Sequence, residues 1–168
     1  MPYTVRVEQI ASIPTAVVRR RAQLSELSHV VPQACGIVWD AIRAQSVQGA
    51  QRNIALYFDG EINLEAGVEL DGRTSFAGYG EVVRSAMPGG TVATAVHVGP
   101  YSGLPDAHQA IRRWCTDHRC ALAGPNWEIY GHWLEDETQL RTDVFYLLRN
   151  TMAPVHTCRE TGDEQGFV

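Results

Sequence analysis

The sequence predicts a single α+β domain in which two pseudo-symmetric strand-helix-strand-strand modules form one antiparallel sheet with two helices and a ligand cleft. Short β-favouring runs alternate with glycine, proline and aspartate turn signals along residues 3–148. Two longer segments change to apolar spacings of three and four, which are typical of helices with one buried stripe. The two stripes match at a constant offset of 73 residues, so an internal repeat organises the chain.

The first module holds one helix and several short strands. The expected strand runs are 3–7, 15–19, 54–58, 65–70 and 79–84. Ser12-Ile13-Pro14 separates the first two runs, as a hairpin or as a broken strand. The helix is expected to begin around Pro32, which suits a first helical turn, and to end near Gly49. Its apolar stripe consists of Ala34, Ile37, Val38, Ala41 and Ile42.

The second module begins at the strong turn signal Met87-Pro88-Gly89-Gly90. Its expected strands are 91–98, 127–133 and 142–148. Its helical stripe consists of Ala107, Ala110, Ile111, Trp114 and Cys115. The domain is therefore expected to span 1–150, and the polar tail 151–168, which has no sustained period, is expected to be disordered.

The repeat singles out one carboxylate. The offset places Tyr130 opposite Tyr57, but it places Glu128 opposite Ala55, so only one module carries an acid at this point. Strand alternation puts Glu128, Tyr130 and His132 on one face and Trp127, Ile129, Gly131 and Trp133 on the other. A polar and aromatic face suits a pocket better than a core. Taken alone, Glu128 could also be a strand carboxylate that meets solvent or pairs with an arginine. The tyrosines could also be core residues whose hydroxyls are hydrogen-bonded.

The net charge and the absence of known motifs argue against several classes of function. A formal net charge of −5 argues against direct nucleic-acid binding, which depends on lysine and arginine at phosphates. No uninterrupted apolar run reaches the roughly 18 residues of a membrane span. The four cysteines show no Cys-x-x-Cys spacing and no nucleotide or metal motif occurs, so we expect no cofactor and no metal. We expect a reduced, cytoplasmic protein.

Four motifs, in this order and spacing, resemble the GyrI-like domains. They are Met87-Pro88-Gly89-Gly90, His97-Val98-Gly99-Pro100-Tyr101, Trp127-Glu128-Ile129-Tyr130 and Thr142-Asp143-Val144-Phe145. This family includes the effector-binding domains of BmrR-type multidrug-responsive regulators and stand-alone cyclopropanoid hydrolases. The resemblance covers roughly Tyr3 to Leu148.

The resemblance implies that Glu128 lies at the base of an aromatic pocket and faces lipophilic, often cationic ligands. The expected ligand-binding set is Glu128, Tyr130, Tyr101, Tyr57, Phe145 and Trp39. Phe145 corresponds to the tyrosine usual in the family's last strand, so it keeps the ring and lacks the hydroxyl. Trp39 joins the set because it lies at the edge of its helical stripe, whereas Trp114 lies in the middle of its stripe and is expected in the core.

Two functions of different class follow from the resemblance. The first is a stand-alone binding protein for bulky apolar, often cationic aromatic molecules, which would serve drug or toxin sensing or sequestration. The second is a hydrolase that opens the cyclopropane of DNA-alkylating natural products and so detoxifies them. In that enzyme Glu128 would position or activate water, and Tyr130 or Tyr101 would polarise the substrate carbonyl. Inhibition of DNA gyrase is a third role known on this fold, and the protein partner stays open.

Overall fold

The computed structural model describes residues 2–58 and 63–150, within which the chain forms eight strands and two long helices. The strands are β1 (Arg6–Ile10), β2 (Ile13–Arg21), β3 (Ala50–Tyr57), β4 (Asn63–Leu70), β5 (Val83–Met87), β6 (Gly90–Val98), β7 (Leu122–Tyr130) and β8 (Arg141–Leu148). The helices are α1 (Leu27–Ala44) and α2 (Leu104–Asp117). The tail at 151–168, expected to be disordered, lies outside the described residues.

All eight strands form one antiparallel sheet in the order β1-β6-β8-β7-β3-β4-β2-β5. The first module contributes β2, α1, β3 and β4, and the second contributes β6, α2, β7 and β8. The modules join where β3 pairs with β7, with Ala55 directly opposite Glu128. The α+β class and the shared sheet are therefore as predicted, and the two repeat-related strands are direct neighbours.

Strands β1 and β2 do not form a hairpin, although only two residues separate them. β1 pairs with β6, whereas β2 pairs with β4 and β5 near the opposite end of the strand order. Since two residues span less than about 10 Å, the ends of the sheet must approach each other. A second two-residue connection, from β5 to β6, also joins strands near opposite ends of the strand order. Its Gly89 lies so close to the connection between β1 and β2 that an added Cβ would be 2.6 Å from Ser12 N. The sheet thus curls until its ends nearly meet.

The two faces of this curled sheet bury different cores. One face carries α1 and α2, each over its own apolar cluster. The other face encloses a third cluster, which contains Val17, Ile54, Leu56, Met87, Val92, Trp127 and Ile129. Within the described ranges, neither helix is long and apolar enough to cross a membrane.

Several element boundaries differ from the expectations: β1 covers 6–10 and not 3–7, β5 covers 83–87 and not 79–84, and α1 ends at Ala44 and not near Gly49. α1 begins at Leu27, directly after the short turn Leu24–Glu26 in which Glu26 accepts the Gln23 N–H at 2.8 Å, so Pro32 lies inside the helix. β7 begins at Leu122, and not at Trp127 as expected. Gly124-Pro125 therefore lies inside the strand, where the pairing with β8 shifts register, and does not separate the strand from α2. β7 ends at Tyr130, so His132 is outside the strand and does not extend its polar face.

Cys35 offers a test of how tightly α1 packs. Its side chain is buried and its thiol donates to Gly67 O at 3.5 Å, and burial raises the pKa of Cys35 to about 11. We expect iodoacetamide at pH 8 to alkylate Cys35 roughly a hundredfold more slowly than an ordinary thiol, since only the thiolate reacts. Peptide mass mapping against half-buried Cys120 measures this. Equal rates at both cysteines in the folded protein would contradict the tight packing.

Candidate functional site

The candidate site lies on the helix-bearing face at the seam between the two modules. Glu128 and Tyr130 reach it from β7, and Tyr57 reaches it from β3. Tyr130 packs against the apolar clusters of both helices, which places it between α1 and α2. Strand alternation and the pairing of β3 with β7 therefore bring these side chains together between the two helices, where the repeat predicted a cleft.

Glu128 is buried and makes two hydrogen bonds to side chains. Its Oε1 lies 2.6 Å from Nε2 of His108, and its Oε2 accepts the Tyr130 hydroxyl. The side chains of Glu128 and His108 are 7% and 12% exposed. Glu128 is therefore not exposed to solvent, and its described hydrogen-bond partners are a histidine and a tyrosine and not an arginine.

The hydrogen bonds continue from His108 across α2 to β8. His108 Nδ1 lies 2.7 Å from the Tyr146 hydroxyl, and Arg112 Nη1 donates to that same hydroxyl at 2.8 Å. One chain of contacts thus joins Arg112, Tyr146, His108, Glu128 and Tyr130. It links side chains of α2, β7 and β8.

The tyrosines of the site stay protonated over a wide pH range. Burial raises the pKa of Tyr130 well above its usual value of 10.0, and the nearby Glu128 charge raises it further. Burial and the same charge raise the pKa of Tyr57, although a hydrogen bond with Tyr130 opposes the rise. Burial also raises the pKa of Tyr146, against the opposing effect of Arg112. These hydroxyl groups therefore keep their hydrogens, so each can donate a hydrogen bond as well as accept one.

Two more predicted residues, Tyr101 and Trp39, pack near the tyrosines of the candidate site. Tyr101, in the turn before α2, is 43% exposed and packs edge-to-face on Tyr130 with ring centroids 5.7 Å apart. Trp39 is half-buried on α1, where it packs against the same cluster as Tyr57 and donates to Asn53 Oδ1 at 2.7 Å. The two rings lie on the α2 and α1 sides respectively.

Phe145 is separated from the other predicted site residues. It stacks on Trp127 at 5.6 Å and packs against the cluster on the opposite face of the sheet. Its neighbour Tyr146 points to the helix face instead, because successive strand residues point to opposite faces. The structure therefore does not bring Phe145 together with the other predicted pocket rings. Trp114 is half-buried, and its ring stacks on His118 at 3.9 Å.

The sequence interpretation missed His108, Arg112 and Tyr146. A signal for His108 existed, since it lies at helical spacing from the buried Leu104 and Ile111 and so interrupts an apolar stripe. Tyr146 could have been found from the alternation of β8, which buries Thr142, Val144, Tyr146 and Leu148. Arg112 carried no such signal, because helical arginines are usually exposed.

The described residues contain no group of three or more histidine, cysteine or acidic side chains placed to hold a metal ion. A cavity of about 480 Å³ lies away from Glu128, beside the stretch 59–62 that the structure does not describe. Its lining is Arg19, Arg20, Arg21, Phe58, Asn63, Leu64 and Glu65. Glu128 is absent from this lining, and the candidate site is the buried Glu128 carboxylate among the tyrosine rings.

Comparison with known proteins agrees with this architecture. The model of the GyrI-like small molecule binding domain matches residues 3–149. The sequence matches no curated protein.

Several solved structures share the fold at low sequence identity. The C-terminal domain of EcmrR superposes with a TM-score of 0.71 at 19% identity, over 89% of this chain and 99% of that domain. In the complex of EcmrR with DNA, the chain spans 58% of the EcmrR chain. A hydrolase from Listeria innocua (TM-score 0.59, 9% identity) matches over 89% of this chain and 94% of its own. SAV2435 bound to tetraphenylphosphonium (0.57, 9%) matches over 89% and 95%.

Proposed function

Because the chain belongs to the family of GyrI-like small-molecule binding domains, we propose that it binds bulky, apolar and cationic aromatic molecules at Glu128. The observation that carries this proposal is a carboxylate only 6% exposed among tyrosine rings. Its described partners are a histidine and a tyrosine, not a guanidinium or an ammonium group. The negative charge of Glu128 therefore remains available to a bound cation.

The energetics of a buried carboxylate favour a lipophilic cation over other ligands. Removing a carboxylate from water is costly, and a cation held close to it offsets that cost by Coulomb attraction. The faces of aromatic rings add cation–π attraction and contact area. Tyr57 and Tyr130 line the cleft beside Glu128, and Tyr101 and Trp39 extend the aromatic surface toward its edges.

Entry to the cleft depends on Tyr101. Its exposed ring covers the Tyr130 ring, and it lies in the short turn Tyr101–Gly103, not inside a strand or a long helix. A ligand would take the place of Tyr101 against Tyr130 and approach Glu128 from there. The tetraphenylphosphonium complex of SAV2435, a structural neighbour, supports a ligand of this size and charge.

Titration of the purified protein with tetraphenylphosphonium and with a lipophilic cationic dye tests the proposal. We expect saturable binding by calorimetry and by dye fluorescence, with each cation displacing the other. Binding that fails to saturate up to the solubility limit of both cations would refute it. Such binding would serve sensing or sequestration of a drug or toxin.

Hydrolysis in the same cleft is the second candidate. The favouring observation is the 2.6 Å contact between His108 and Glu128, because it holds the carboxylate in one orientation and offers it a proton partner. Water would add to a ring carbon of an electrophilic cyclopropane as the carbon–carbon bond breaks. The conjugated carbonyl would take up the electron pair, Glu128 the water proton, and Tyr130 or Tyr101 would polarise the carbonyl. A hydrolase from Listeria innocua shares the fold.

Mass spectrometry separates the two functions. Incubation with a cyclopropane-bearing alkylator should yield a product heavier by one water if the protein is a hydrolase, and the yield should exceed the amount of protein. That turnover should be lost in Glu128→Gln. Saturable binding without a hydrated product would leave the binding function alone.

A further inference from the structure

We infer that His108 controls the charge which the cleft presents to its ligand, so that the site prefers cations when His108 is neutral and loses this preference when His108 is protonated. The inference rests on the proposed binding function and adds its regulation by pH. Its structural basis is that His108 contacts Glu128 through Nε2 and Tyr146 through Nδ1, and that Tyr146 also contacts Arg112.

The donors and acceptors along this chain can all be paired when His108 is neutral. Arg112 has only donors, so the Tyr146 oxygen must accept the bond from Arg112 Nη1. The Tyr146 hydrogen is then free to point at His108 Nδ1, 2.7 Å away. With Nδ1 accepting, the ring hydrogen lies on Nε2 and is donated to Glu128 Oε1. Every bond is thus satisfied by a neutral His108 and an ionised Glu128.

Protonation of His108 would change the charge without breaking the contact to Glu128. The added proton goes to Nδ1, where the Tyr146 oxygen has a second lone pair to accept it after its own hydrogen turns away. The Glu128–His108 pair then changes from a net charge of −1 to zero. Because both side chains are almost buried, little solvent screens the difference from a ligand in the cleft.

Other charged and titratable groups around His108 shape this equilibrium. Two of them are Arg112, on the same helix, and Glu128, from β7. Further titratable groups near this region are Tyr130 from β7, Tyr146 from β8, Tyr57 from β3, Cys35 from α1, Cys115 from α2, Tyr101 from the turn before α2 and His97 from β6. His97 is engaged elsewhere, with Nδ1 at the Tyr3 hydroxyl and Nε2 at Pro100 O, both 2.8 Å away. Histidine is the side chain that ordinarily changes charge between about pH 5 and 8.

Tetraphenylphosphonium tests the inference because its own charge does not change with pH. We expect its affinity for the wild-type protein to fall at least about tenfold from pH 8 to pH 5 as the site loses its charge. Neutral triphenylphosphine oxide should change by less than about twofold. Near the midpoint of the transition, binding of the cation should release protons, which calorimetry in two buffers of different ionisation heat detects.

His108→Gln is the matched variant, since the glutamine amide can donate to Glu128 as Nε2 does but takes up no proton. Whatever its affinity at pH 8, we expect the ratio of its affinities at pH 8 and pH 5 to stay within about twofold of one, with no proton release on binding. A wild-type profile in this variant would assign the titration to another group and overturn the inference. If the variant does not fold, absence of proton release from the wild-type protein would overturn the inference on its own.

The outcomes also separate this inference from the proposed function. No cation binding at any pH would refute the binding function itself. Binding that is strong and independent of pH would leave the function standing and refute only the role of His108.

Discussion

Glu128→Gln is expected to weaken tetraphenylphosphonium binding by about thirtyfold or more, and to change the binding of neutral triphenylphosphine oxide by less than about threefold. The amide keeps the shape of the side chain, and its oxygen and nitrogen can still bond His108 and Tyr130. Only the charge is removed. Coupling between close, desolvated charges typically exceeds about 1.5 kcal/mol, which is more than a tenfold effect on affinity.

Glu81→Gln is the control for this experiment. It makes the same change in net charge, but Glu81 is half-exposed and pairs with Arg20 on the surface. We expect no measurable change for either ligand. Equal losses of the cation and the neutral ligand in Glu128→Gln would show that Glu128 does not act through its charge.

Gly67→Ala is expected to give the largest loss of stability, more than about 4 kcal/mol in the free energy of unfolding. A Cβ at Gly67 would lie 2.0 Å from Ala16 O and 2.9 Å from Val17 Cα, both backbone atoms of the paired strand β2. Strands β2 and β4 would have to separate at the Val17–Gly67 pair, in the buried part of the sheet. For a chain of this size the melting temperature should fall by roughly 10 °C or more.

Gly36→Ala provides the matched control on helix α1. Nothing lies within 4 Å of a Cβ added there, and the residue is exposed. Alanine in a helix should instead raise the free energy of unfolding by about 0.5–1 kcal/mol. Calorimetry of both variants measures the contrast, and a melting temperature of Gly67→Ala within a degree of the wild type would contradict the close approach of β2 and β4.

Features encoded by local pattern were predicted well. The apolar spacing in 34–42 and 107–115 placed both helices, and the alternation in 127–130 placed Glu128 and Tyr130 on a different face from Trp127. The repeat predicted a shared sheet, and its two aligned strands β3 and β7 are in contact. Such features depend on residues a few positions apart, so that one stretch of sequence contains the whole signal.

Pairing between distant segments was predicted less well. The sequence around Pro14 allowed a hairpin, but β1 and β2 instead lie near opposite ends of the strand order. The family correspondence suggested Phe145 for the pocket, yet the register of β8 turns Phe145 to the opposite face and Tyr146 to the helix face. A shift of one residue exchanges the two faces of a strand, so a small error in alignment moves a side chain to the wrong core.

By itself, the sequence determined the α+β class, the two modules and the candidate acid Glu128, because hydrophobic period and turn chemistry are local. Only the tertiary structure decided which groups surround that acid. His108 and Tyr146 are 38 residues apart, and His108 and Glu128 are 20 apart, yet packing α2 on β7 and β8 brings them within hydrogen-bonding distance. The hydrogen-bonding partners of Glu128 are set by those long-range contacts, which no periodicity along the chain encodes.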